Sequence, residues 1–153
     1  MSALKDQLRT DLTAAIRARD ALRSSVIRMV LTSITTAEVA GKEARELTDE
    51  DVITVLGAEA KKRRESAEAF ETGNRPELAQ KERDEAAILA EYLPEQMSAE
   101  EIQAIVTAAV ESTGSAGAGM KAMGKVMGVV SPQVKGKADG GVVAAEVKKQ
   151  LGV

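Results

Sequence analysis

From Gly114 to the end of the chain, Lys121, Lys125, Lys135, Lys137, Lys148 and Lys149 stand against only Asp139 and Glu146. Four of these lysines fall in two glycine-bearing stretches, Met120-Lys121-Ala122-Met123-Gly124-Lys125-Val126-Met127-Gly128 and Val134-Lys135-Gly136-Lys137-Ala138-Asp139-Gly140. Ammonium groups beside glycine suit the binding of anions: the charge attracts a phosphate, and the missing side chain lets it reach the backbone. On one helix, Lys121 and Lys125 lie a turn apart and act together. Gly124 and Gly128 share that spacing and would admit another backbone, as glycines four apart do between helices. Lys135-Gly136-Lys137 precedes the last helix, whose dipole and first amides also favour an anion. Asp139 is placed to cap that helix, so an anion there would rest on the lysines and the Gly136 backbone instead. The competing reading is structural: Met120, Met123, Met127 and Val130 form a core face, the glycines permit tight packing and the lysines keep the surface soluble. At this level both readings stand.

Other residue clusters have simpler accounts. In Lys61-Lys62-Arg63-Arg64, successive helical positions point about 100° apart, so four basic residues cannot form one dense face. Glu59, Glu65 and Glu68 are spaced to pair with Arg63, Lys61 and Arg64. Arg17, Arg19, Arg23 and Arg28 are interleaved with Asp11 and Asp20. The acids Glu46, Asp49, Glu50 and Asp51 match no calcium loop and suit a helix start. The chain has no histidine and no cysteine. Histidine-based acid–base chemistry, the usual zinc sites and a disulfide framework are therefore excluded. Ser24, Ser25 and Ser33 have no histidine to activate them, and neither a GxxxxGK[ST] loop nor a GxGxxG loop after a strand is present. No catalytic residues, cofactor or metal are expected.

The elements that must position these residues are helices. Apolar residues recur at helical spacing and nowhere alternate as in a strand. With Phe70 and Tyr92 as its only aromatics, the core must be built from Leu, Ile, Val, Met and Ala. A first helix reads Leu4, Leu8, Leu12, Ile16, capped by Ser2. A second, capped by Asp20, reads Leu22, Val26, Met29, Val30, Ile34, Ala37 and ends at Gly41. Thr48 to Asp51 is a capping box opening a third helix, with Gly73 as its C′ glycine. Pro76 opens a fourth through Leu78, Ala86, Leu89 and Leu93, which Pro94 ends. Ser98 to Glu101 is a second capping box, for a helix to Gly114. After a loose Gly117/Gly119 connection, a short helix from about Met120 to Val130 is stopped by Pro132. Asp139 caps the last helix through Val142, Val143, Val147 and Leu151. The expected fold is all-α: an N-terminal domain of about four helices over residues 1–94, then a small C-terminal three-helix module over 97–153. The chain lacks a membrane-spanning apolar run and a secretory leader, so a cytoplasmic location is expected. Its net charge of −3 argues against tight nonspecific nucleic-acid binding by the whole protein.

The two lysine–glycine stretches, together with Ser25-Val26-Ile27-Arg28-Met29-Val30, Arg63-Arg64-Glu65-Ser66-Ala67-Glu68-Ala69-Phe70 and Glu91-Tyr92-Leu93-Pro94-Glu95-Gln96, resemble the YqeY-like proteins. These are stand-alone relatives of the C-terminal region of the B subunit of glutamyl/aspartyl-tRNA amidotransferase. The resemblance implies an accessory, non-catalytic role in which the tail contacts transfer RNA. The implied RNA-facing positions are Lys121, Lys125, Lys135, Gly136 and Lys137, with Gly124 allowing close approach. It also implies a family-level association with carbon–nitrogen ligase activity using glutamine as amide donor, although this chain has no counterpart of that enzyme's catalytic cradle. The alternative is a helical interaction module that docks on a protein of transfer-RNA aminoacylation or amidation. Gly141 departs from the pattern, where a bulkier residue is expected.

Overall fold

The computed structural model describes residues 2–153. Among them are seven α-helices, one 3-10 turn and no strand. The chain divides into two compact units, Met1–Leu93 and Pro94–Val153.

The first unit contains α1 (Ala3–Arg17), α2 (Ala21–Glu38), α3 (Asp49–Thr72) and α4 (Pro76–Ala90). The expected caps are in place. Ser2 accepts from the Lys5 amide and Asp20 from that of Arg23, and Thr48 and Asp51 form the reciprocal capping box. The Thr48 backbone amide and Arg45 hold the Asp51 carboxyl down at about 2. Asp49 accepts from the Ser2 hydroxyl and the Leu4 amide. Asp49 and Asp51 therefore serve helix starts, and among the described residues no group of three or more His, Cys, Asp or Glu side chains is placed to hold a metal.

Three-residue turns make hairpins of α1–α2 and α3–α4. Both turns close the same way. Arg19 and Asn74 adopt left-handed backbone, with φ of 57° each, and the next amide returns to the carbonyl five residues back, Asp20 to Ala15 and Arg75 to Phe70. Gly73 is thus the C-cap, with φ −79°, and Asn74 takes the left-handed place expected of Gly73. Asparagine tolerates that conformation better than other side chains do. The second helix ends at Glu38, short of Gly41.

The first core joins Leu8, Val26, Ile27, Val30, Ile34, Leu47, Val52, Leu56, Ala60, Ile88 and Leu89. Burying each of the larger side chains stabilises the fold by about 1.5–3 kcal/mol. Ile16 lies outside this core at 48% exposure. A four-residue repeat advances 400° in a helix, so the stripe from Leu4 has drifted off the core face by Ile16, and Ala15 takes the buried position. Gly57 sits inside α3 with nothing within 4 Å of where a Cβ would stand. Gly57→Ala should therefore raise unfolding stability by about 1 kcal/mol, read as a higher urea midpoint at unchanged slope.

The second unit holds α5 (Ala99–Ser112), a 3-10 turn (Gly119–Ala122), α6 (Met123–Val134) and α7 (Gly140–Leu151). Ser98 caps α5 by accepting from the Glu101 amide. Gly114, at φ +63°, ends α5 in the left-handed turn that only glycine adopts without strain. The connection after it is folded, not loose. Ser115 is buried, its amide donates to the Val110 carbonyl, and its hydroxyl lies 2.6 Å from that of Thr113.

Two further expectations are corrected in this unit. Pro132 does not stop the helix; it lies inside α6, which runs to Val134. The carbonyl that its missing amide would have met belongs to Gly128, an exposed residue, so water can satisfy it, and continuing the helix buries Val134. The buried face is Ala122, Val126, Val130 and Val134, packed with Ile102, Val106, Val110, Val143, Val147 and Leu151. Met123 and Met127 flank it half-buried, and Met120 is 55% exposed on the 3-10 turn. Val142 is also exposed, because its neighbour Val143 takes the inward position.

Candidate nucleic-acid interface

The candidate lysines sit on three successive pieces of the second unit. Lys121 belongs to the 3-10 turn, Lys125 to the first turn of α6, and Lys135 and Lys137 to the link between α6 and α7. All four are exposed. Lys121 and Lys125 are therefore not one turn apart on a single α-helix; a change of helical type separates them. Lys121, Lys125 and Lys137 form no ion pair among the described residues, whereas Lys135 and Asp139 each have an interaction within the chain.

The link is anchored through its carbonyls. Gln96 Nε2 donates to the Gly136 carbonyl at 3.0 Å and the Met97 amide donates to that of Lys137 at 2.8 Å. The Lys137 and Ala138 amides both return to the Val134 carbonyl. Gly136 takes φ +76°, which turns the chain between the two lysines. These bonds fix the backbone beneath Lys135 and Lys137, so the ordering cost of presenting the two charges falls on the side chains alone.

Asp139 caps α7 as its position predicts, accepting from the Gly141 amide at 2.7 Å. That helix start is occupied. The start of α6 differs: Ala122 offers no side-chain cap and the first turn carries no acid. It lies between Lys121 and Lys125. The Met123 amide there donates to the Met120 carbonyl of the 3-10 turn, and the helix dipole adds positive charge beside the two lysines. Reading residues 120–130 as one helix hides this feature, because it moves the helix start three residues upstream. Gly124 and Gly128 are exposed, and a Cβ at either would meet nothing within 4 Å. No packing within the chain requires glycine there.

The basic run from Lys61 to Arg64 and Arg23 are engaged within the chain, whereas Arg17, Arg19, Arg28, Lys148 and Lys149 form no ion pair among the described residues. Arg63 reaches Glu85 at 3.3 Å, Glu82 at 3.5 Å and Glu59 at 3.7 Å. Lys62 meets Glu59 at 3.3 Å and Lys61 meets Glu65 at 3.9 Å, while Arg64 also has a partner in the chain. Arg23 is held by Glu91 at 2.8 Å and Asp20 at 3.6 Å. Of the serines singled out in the sequence, Ser24 donates to the Asp20 carbonyl and Ser33 to Glu59.

A family model described as "Yqey-like protein" matches residues 5–151. The chain belongs to the YqeY-like family. A Schizosaccharomyces pombe relative, itself described as uncharacterized, is 32% identical over 96 residues, which are 62% of this chain and 76% of that protein. The match to the YqeY-like model spans both units and includes all six candidate positions. No helix among the described residues is long and apolar enough to cross a membrane.

Proposed function

We propose that this YqeY-like protein is a cytoplasmic, non-catalytic accessory protein whose second unit grips structured RNA of the transfer-RNA type through Lys121, Lys125, Lys135 and Lys137. The observation that carries this reading is the exposure of Lys121, Lys125 and Lys137 without ion pairs, beside an open Gly124/Gly128 face and a helix start with no side-chain cap. Lys61 to Arg64 are engaged within the chain; Arg17, Arg19 and Arg28 form no ion pair among the described residues but fall outside the lysine–glycine stretches. Phosphates bind by charge and backbone approach, which this surface supplies. Stacking on unpaired bases needs aromatic side chains, and the second unit contains none. Recognition would therefore be of RNA shape and backbone. The resemblance to the amidotransferase tail supports transfer RNA as the class. The link to carbon–nitrogen ligase chemistry with glutamine as donor would then be one of shared ancestry with a binding module.

Binding of a transfer RNA is expected to weaken roughly a hundredfold between 50 and 200 mM salt if about four phosphates are neutralised. Fluorescence anisotropy with a labelled transfer RNA measures this. A signal that ignores salt would instead favour a helix-docking contact with a protein of aminoacyl-tRNA synthesis or amidation.

A further inference from the structure

In the first unit, α1, the start of α2 and the residues following α4 surround an open cavity of about 690 Å³. Its floor is one face of α1 with its C-cap residue, recurring at Leu4, Gln7, Asp11, Ala14 and Ala18. At 1.5 Å per residue that face is about 21 Å long. The alanines keep it shallow and let a backbone lie close. Charge is unbalanced along it. Asp11, Asp20 and Glu91 line the cavity with Arg23 as the one cation, and Arg23 is already held by Asp20 and Glu91. Asp11 is held only by neutral donors, Gln7 Nε2 at 2.8 Å and the Tyr92 hydroxyl at 2.5 Å. Burial and the neighbouring Asp11 push the Tyr92 phenol up, so it stays a neutral donor. No cation of the chain pairs with Asp11 among the described residues.

We propose that this groove docks a basic segment of a partner polypeptide, with a lysine or arginine seated against Asp11 and the segment lying along the alanine floor. Charge complementarity selects the basic residue. The length and openness of the floor select a rod over a small free amine, which would touch only the acidic end and stay covered on one side.

The chain has one tyrosine and no tryptophan, so Tyr92 reports on the groove by its own fluorescence. The probe is an alanine-based helical peptide carrying lysines and no aromatic residue, titrated into the full-length protein. A saturable change in Tyr92 emission is expected, and none with the matching glutamate peptide. Asp11→Asn should weaken the lysine peptide about tenfold, the effect of losing one charge-assisted hydrogen bond. Ala14→Leu, at an exposed position that leaves the fold intact, should fill the floor and abolish the response. The proposal is overturned if the lysine peptide gives no saturable change. It is equally overturned if Ala14→Leu binds as tightly as the parent, or if spermidine saturates Tyr92 at the same concentration as the peptide.

Discussion

Arg63→Ala should destabilise the protein by about 3 kcal/mol or more, the largest loss expected from any single surface-to-core charge removal in this fold. The guanidinium lies within 3.7 Å of Glu59, Glu82 and Glu85, whose side chains are 6%, 16% and 11% exposed. Removing it leaves these carboxylates together with only Lys62 near Glu59 as a counter-charge. Ser33 donates to Glu59 at 3.0 Å and would remain, but a neutral donor does not offset mutual repulsion. Arg63 donates a hydrogen bond from Nη1 to Glu85 at 3.3 Å, whereas its contact with Glu82 is Coulombic, since Arg63 Nε and Glu82 Oε2 have no hydrogen-bond partner. Urea unfolding followed by circular dichroism measures the loss. Arg63→Lys should cost less, because the charge stays while the fork that reaches three carboxylates does not. Glu85→Gln combined with Arg63→Ala should cost less than the sum of the two, because each removes part of what the other leaves unpaired. Strict additivity would mean that the cluster does not act as a unit.

Reversing Lys125 and Lys137 together to glutamate should lower transfer-RNA affinity by about a hundredfold or more at low salt, since two contacts are lost and two repulsions added. Both side chains are exposed and unpaired, so helicity and the urea midpoint should not move. The matched control is Lys61→Glu with Arg64→Glu. Those residues already have carboxylate or other partners, and the control should change binding by less than about threefold. Loss of binding in the control with retention in the Lys125/Lys137 variant would move the site to the first unit. The groove test above is independent of this outcome, because its residues all lie within Met1–Leu93.

Local chemistry decided what could be read from the sequence. Ser2, Asp20, Thr48, Ser98 and Asp139 cap helices as their types predict, because a cap is a contract between a side chain and an amide two or three residues away. Pro76 opens α4 and Gly114 closes α5 for equally local reasons. The all-α class and the lack of core aromatics followed from periodicity and composition alone. The family was legible in the same way, since its motifs are runs of adjacent residues.

Tertiary packing decided the rest. Whether Met120 or Ala122 faces inward depends on the 3-10 turn before α6, which no spacing rule anticipates. Pro132 stays inside a helix because Gly128 is exposed and Val134 has a core to enter, and neither fact is visible in the order of residues. Arg63 could be paired with Glu59 from spacing, but Glu82 and Glu85 join it only when α4 folds back along α3. The cavity along α1 requires Tyr92 to meet Asp11 across 81 positions of sequence. Contacts of that range depend on how helices are placed against one another, and helical periodicity says which face is apolar without saying what covers it.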